Sequence, residues 1–272
     1  MPRKVKIAWY GLHKGEEPPL VTGGGAGGIF FSGCHLRCVY CQNWQISQAG
    51  MGQEYSVNDL AKIMLELQSL GASNIDLVTP TIWWKEIIEA VQIAKAEGLK
   101  IPIVWNSNGY ESVEIIKRLE GIVDIYLPDW KYSDDNLAYK YSGVRKYSEV
   151  TAAAIAEMYR QVRLLQMVDG MAERGLIVRH LVLPGLVENS LGVINNLAAI
   201  DPGIHLALMN QYAPTHLAGN YPEINRTVTD EEFNLVCDTA ITAGFNNGWI
   251  QDSDSQMIYF PDFTKQNPFP NV

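Results

Sequence analysis

Three of the four cysteines in this 272-residue chain fall within eight positions, in the stretch Ser32–Asn43 that reads S-G-C-H-L-R-C-V-Y-C-Q-N. The C-x3-C-x2-C spacing of Cys34, Cys38 and Cys41 puts all three thiols in one loop with one task. Common tasks are disulfides, zinc and iron-sulfur clusters. An odd number at this spacing fits a disulfide poorly, because one thiol is left over and the bridges would close very short loops. Structural zinc usually takes a fourth Cys or His; His35 inside the loop gives no second knuckle, and Cys237 lies far down the chain. A [4Fe-4S] cluster fits better. It normally takes four thiolates, so three leave one iron open to an exogenous molecule, and an open iron means chemistry at the cluster.

A length of 272 residues with 47% hydrophobic content supports one large core and one domain. No apolar run approaches a membrane span, and no basic start leads into an apolar stretch and a small-residue cleavage site. A cytoplasmic, reducing location is expected, which also keeps thiolates free for iron. The net charge of -9, with Lys and Arg scattered, argues against nucleic acid as a partner.

From Gly28 the pattern alternates between short apolar runs and helical periodicity. Strands are expected at Ile29–Phe31, Ile75–Val78, Ile101–Trp105, Ile122–Leu127, Leu176–Leu183 and His205–Met209. Val57–Leu70 has i, i+3, i+4 apolar spacing behind a capping box formed by Ser56 and Asp59. Further helices are expected at Trp84–Ala96, Val113–Leu119, Ala152–Met167, Leu191–Ala199 and Asp230–Ala243. Six strand-helix units in alternation predict an α/β fold, a parallel sheet with helices outside, as in a partial (β/α)6 barrel. That domain is expected over residues 27–260, closed by a strand at Met257–Phe260. An N-terminal segment, residues 1–26, precedes it, with a short strand at Val5–Trp9 and a flexible Gly-rich approach that lacks a phosphate loop's Gly-Lys-Ser/Thr ending. Residues 261–272 read as an irregular tail, and Asp134–Ser148 as a mobile crossing segment.

With Tyr40 counted as the aromatic, C-x3-C-x-aromatic-C resembles the signature of radical S-adenosylmethionine (SAM) enzymes. In particular the chain resembles the PflX-like homologues of pyruvate formate-lyase activating enzyme. The stretches that carry this likeness include E-E-P-P from Glu16, F-F-S-G-C from Phe30, L-V-T-P-T from Leu77, L-P-D-W-K-Y from Leu127, V-R-H-L-V-L-P-G from Val178 and Y-P-E-I-N-R from Tyr221. The resemblance implies that Cys34, Cys38 and Cys41 hold a [4Fe-4S] cluster whose fourth iron is chelated by SAM. Reduction then releases a 5'-deoxyadenosyl radical that abstracts hydrogen. It also implies reduced flavodoxin or ferredoxin as electron donor and a glycyl radical enzyme as protein substrate. A small molecule or another peptide is the second substrate class, and an iron-sulfur protein without turnover the third reading.

In parallel α/β barrels chemistry sits at the C-terminal strand ends, and polar residues gather there. SAM brings a carboxylate, an ammonium, a ribose diol and an adenine. Candidate contacts are Tyr40, Thr79, Thr81, Asn106, Asn108, Asp129, Lys131, Arg179, Asn210 and Tyr212. Related activating enzymes usually carry G-G-E-P after the second strand for the SAM amino group. Thr79-Pro80-Thr81 stands in that place, leaving the contact to two hydroxyls and backbone carbonyls. Asp129 and Lys131 match the family's D-x-K, which implies a ribose or sulfonium role for Asp129 and a carboxylate role for Lys131. Arg179 shares a strand face with Leu181 and Leu183 and needs an anion, either SAM's carboxylate or a barrel carboxylate. Cys237 reads as an inert core thiol, the Trp83-Trp84 pair as helix-start packing, and His13 with Glu16 and Glu17 as a solvated acidic loop.

Overall fold

The computed structural model describes residues 3–21, 23–250 and 260–269. The strands are β1 (Lys4–His13), β2 (Ala26–Phe31), β3 (Gln53–Ser56), β4 (Ile75–Val78), β5 (Ile103–Ser107), β6 (Ile125–Pro128), β7 (Gln166–Val168), β8 (Met171–Leu181), β9 (His205–Met209) and β10 (Gly248–Ile250). The helices are α1 (Trp44–Ser47), α2 (Val57–Ser69), α3 (Trp84–Ala96), α4 (Val113–Arg118), α5 (Asp135–Ser142), α6 (Tyr147–Val162), α7 (Val187–Ala198) and α8 (Asp230–Thr242). One sheet runs in the order β10-β9-β8-β6-β5-β4-β2-β1-β3, with β7 paired onto β8. Every pairing from β2 to β10 along this path is parallel, and β1 joins β2 and β3 antiparallel. The expected α/β architecture with a mostly parallel sheet is therefore present. Among the described residues no helix is long and apolar enough to cross a membrane.

Side-chain alternation along the strands makes two different faces. Ile103 and Trp105 of β5, Tyr126 of β6 and Val178 of β8 pack outward into the large core with Leu60, Met64, Ile87, Val91 and Ile155 from the helices. Val104, Ile125, Leu127, Ile177 and Ala207 form a second cluster on the opposite face, joined by Leu20 from the N-terminal segment. Continuing the same alternation towards the C-terminal strand ends places Asn106, Asp129 and Arg179 on this inner face. One strand register thus fills the lower half of the inner face with aliphatics and the upper half with charge.

Several local expectations are met by identifiable chemistry. The Ser56 hydroxyl accepts from the Asp59 N–H while Asp59 accepts from the Ser56 N–H, closing the capping box of α2. Cys237 is buried on α8 beside Phe233 and Val236, whereas Ile241 is exposed. Trp83 packs against the core and donates its indole N–H to the Ser32 carbonyl at 2.9 Å.

Other expectations are corrected. The crossing segment Asp134–Ser148 carries a helix: Asp134 caps α5 by accepting from the Asn136 N–H, and Gly143 ends it at φ 73°. The strand expected from Leu176 begins at Met171, because Asp169-Gly170, both at positive φ, turns β7 back onto it. The N-terminal strand spans Lys4–His13 rather than Val5–Trp9, and the glycine run enters the buried strand β2. A Cβ on Gly27 would lie 2.7 Å from the Asn74 carbonyl oxygen, so the close approach of the chain there requires glycine. His13 is buried against Trp9, Phe30 and Phe269 and is not part of a solvated loop. Phe263 and Phe269 join that aromatic cluster from the tail. Of the expected closing strand, residues 257–259 lie outside the described residues.

Candidate active site

Cys34, Cys38 and Cys41 are free thiols on the loop after β2, and all three line one cavity at the C-terminal strand ends. Its empty volume, open to solvent, is about 1000 Å³. Each sulfur has a polar partner. The Leu36 N–H (3.4 Å) and the Asn108 amide (3.3 Å) donate to Cys34, the Ser142 hydroxyl donates to Cys38 (3.0 Å), and the Ser47 hydroxyl pairs with Cys41 (3.3 Å). Burial pushes the Cys34 and Cys38 thiols up to about 11 and raises Cys41 as well. As bare thiols they keep their protons, and coordination to a metal is what removes them. Sulfurs that each meet a polar partner suit iron-sulfur ligation, where such bonds tune the cluster.

Asp129, Lys131 and Arg179, on the same cavity, belong to a buried ion network. Arg179 donates to Asp129 (2.8 Å), to Asn106 Oδ1 (2.6 Å) and to Glu16 (3.3 Å), and Lys131 donates to Asp129 at 2.6 Å. The Asn106 amide reaches both Glu16 and Asp76 at 3.3 Å. Burial alone would raise Asp129, but Arg179 and Lys131 outweigh it and hold the carboxyl below its ordinary value. Asp76 lacks so close a cation: burial and then Glu16 push it well up, against a partial offset from Arg179. Gly109, at φ 75°, brings the chain so close that a Cβ there would lie 2.0 Å from the Asp129 carbonyl oxygen.

Glu17 gives the network a pH signature. Burial, only partly offset by Arg179, lifts it to about 7 from an ordinary 4.5. The resulting stability is full below the unfolded value, declines as pH rises through the folded value, and amounts to about 3 kcal/mol across that window. Glu17→Gln, neutral throughout, is expected to flatten the fall in Tm between pH 5 and pH 8 and to melt above the parent at pH 8. Parallel Tm profiles for the two proteins would refute this.

Of the candidate contacts, Tyr40, Thr79, Asn106, Asn108, Asp129, Lys131, Arg179 and Tyr212 line the cavity with the three cysteines. Thr81 does not: it is buried, with its hydroxyl on Glu111. Asn210 is buried off the wall, where its neighbour Gln211 stands instead. Arg179 is paired with carboxylates of the chain itself, Asp129 after β6 and Glu16 of the N-terminal segment. Tyr212 gives its hydroxyl to the Ile224 carbonyl (2.7 Å) and offers the cavity its ring. Thr79 is strained, a β-branched residue at φ 58° before proline, with its N–H held by the Asn106 carbonyl at 2.9 Å. Glu16, Glu17 and Asp76 were missed as site residues. Glu16 and Glu17 sit in the E-E-P-P stretch, which Leu20, just beyond, anchors on the sheet's inner face, a long-range contact that no local pattern signals.

The family model described as the radical SAM superfamily matches residues 29–193, from β2 through the cysteine loop to α7. The chain belongs to the radical SAM superfamily. An uncharacterized protein of Methanocaldococcus jannaschii is 31% identical over 252 residues, covering 87% of this chain and 68% of the relative. The pyruvate formate-lyase-activating enzyme of Clostridium pasteurianum is 25% identical over 225 residues, 79% of this chain and 86% of that enzyme. Among solved structures, Streptococcus suis SuiB bound to S-adenosylmethionine aligns with a TM-score of 0.55 at 13% identity, over 83% of this chain and 48% of that one. The chain thus spans about half of SuiB, and the likeness is one of fold.

Proposed function

We propose that this protein is a radical SAM enzyme that cleaves SAM reductively and acts as an activase on a glycyl radical enzyme. The observation that carries the first half is the convergence of three thiols, Cys38 buried and Cys34 and Cys41 half-buried, with Asp129, Lys131 and Arg179 on one cavity. The Clostridium pasteurianum relative supports the second. In this reading Cys34, Cys38 and Cys41 hold a [4Fe-4S] cluster, and Asn108, Ser142 and Ser47 orient the sulfurs. With SAM bound, the cluster supplies the electron and a 5'-deoxyadenosyl radical the hydrogen abstraction.

The protein's own work is placement and exclusion of water. Asp129, kept ionised by two cations, is an acceptor for a ribose hydroxyl or a counter-charge near the sulfonium. Lys131 has three N–H groups, one of which meets Asp129, so it retains donors for SAM's carboxylate. Asn106 acts beneath the contact surface, since its amide and carbonyl are engaged by Glu16, Asp76 and Arg179. Tyr40 and Tyr212 meet edge to face at 5.8 Å and form an aromatic wall. The cavity mouth opens to solvent, as a peptide loop requires. The electron comes from a reduced flavodoxin or ferredoxin.

Anaerobic reconstitution with iron, sulfide, SAM and dithionite is expected to yield 5'-deoxyadenosine, and its absence overturns SAM cleavage. Given its partner, the enzyme is expected to install an oxygen-labile glycyl radical visible by electron paramagnetic resonance. Deuterium reaching 5'-deoxyadenosine from a labelled small metabolite, with no partner present, overturns the activase reading.

A further inference from the structure

The cysteine loop has a second side, turned away from the cavity. Arg37 is the one exposed residue between Ser32 and Tyr40, directly before the buried Cys38. Its backbone N–H bonds the Ser142 carbonyl at 3.0 Å, and the next bond in the same seam joins Val39 N–H to the Tyr141 carbonyl at 2.8 Å. Ser142, fully buried, donates its hydroxyl to the Cys38 sulfur at 3.0 Å, and exposed Gly143 follows it. A two-residue step, from Gly143 through Ser142 to Cys38, therefore links solvent to a cluster ligand without crossing the cavity where SAM and substrate belong.

The surface around that step carries two arginines outside any ion pair among the described residues, on a protein of net charge -9. Leu137–Ser148 carries Lys140, Arg145 and Lys146 and no carboxylate. Lys140 and Lys146 pair with Glu223 and Glu149, whereas Arg37 and Arg145 have no ion-pair partner among the described residues. Arg145 lies over the ring of Tyr139, 4.3 Å from its centroid, and Tyr139 is 53% exposed. The Arg37 Cβ is 3.7 Å from where a Cβ on Gly143 would stand, so the two arginines flank the same turn. Exposed Tyr and Arg are the residues that concentrate binding energy at protein interfaces. Unpaired cations over a redox centre steer an acidic partner.

We infer that Arg37, Tyr139, Gly143 and Arg145 form the docking face for an acidic one-electron carrier protein, which passes its electron to the cluster through Ser142 and Cys38. The inference rests on the radical SAM reading, and the step moves one electron from the carrier's reduced cofactor to the oxidised cluster. The redox-inactive part of the claim is a surface property and is tested as binding.

Oxidised flavodoxin, an acidic electron carrier, serves as the probe, titrated against the reconstituted protein at low and high salt. The double variant Arg37→Glu/Arg145→Glu is expected to bind it at least about tenfold more weakly than the parent at low salt, with the difference shrinking as salt rises. Lys62→Glu/Lys100→Glu changes net charge equally at exposed sites elsewhere and is expected to bind like the parent. In a second arm, SAM cleavage driven by dithionite stays at the parent rate in the Arg37/Arg145 variant, while cleavage driven by reduced flavodoxin falls. Equal flavodoxin binding by parent and Arg37/Arg145 variant overturns the docking face, as does equal weakening in the Lys62/Lys100 control. Absence of dithionite-driven cleavage in the parent overturns the enzyme reading instead, and the binding arm still decides the docking face.

Discussion

Cys34→Ala, Cys38→Ala and Cys41→Ala are each expected to abolish 5'-deoxyadenosine formation and to lose most of the reconstituted iron, while Cys237→Ala retains both. A three-thiolate site has no spare ligand, so removing one leaves an iron without protein attachment. Each sulfur also has its own polar partner, Asn108 at Cys34, Ser142 at Cys38 and Ser47 at Cys41. Cys237 is remote from this, packed with Phe233 and Val236 on α8 and absent from the cavity wall. Its truncation removes one buried sulfur, at a cost of about 1 kcal/mol, a stability effect without a chemical one. Iron content and ultraviolet-visible spectra after anaerobic reconstitution report the outcome. Loss of iron from Cys237→Ala would overturn the three-ligand assignment.

The parts of the fold legible in the sequence were those whose signal is local. The helix from Trp84 to Ala96 and the strand from His205 to Met209 carry clean periodicity and coincide with α3 and β9. Ends governed by turn chemistry were less so, as at Asp169-Gly170, which starts β8 early. The cysteine loop was legible because its spacing is itself the chemistry. The ion network on the same cavity was only half legible: Asp129, Lys131 and Arg179 follow strand alternation, but their partners do not. Glu16 reaches Arg179 across 163 positions, and nothing in the residues around Glu16 reports that Leu20 holds the segment against Val104 and Ile177. Thr81 and Asn210 failed for a related reason. Near a strand end, one position decides whether a side chain joins the cavity, and Thr79 and Gln211 took those places.

Arg179→Ala is expected to destabilise the protein and weaken SAM binding together, without loss of iron. The guanidinium is the shared counter-charge of Asp129 and Glu16 and the donor to Asn106, with only 15% of its side chain exposed. Removing one partner of a buried pair costs about 3–5 kcal/mol, because the remaining charge stays desolvated. Lys131 still faces Asp129, which places the cost near about 3 kcal/mol, or a fall in Tm of about 5–10 °C for a chain of this size. SAM affinity is expected to fall about 10- to 100-fold, the loss of one charged hydrogen-bond partner together with a displaced Asp129. Arg179→Lys restores charge without the planar fork, so it recovers part of the Tm but leaves Asn106 or Glu16 unmet. These readouts separate two roles: a lowered Tm with unchanged SAM affinity makes Arg179 purely structural, and an unchanged Tm removes the ion network from the stability of the fold.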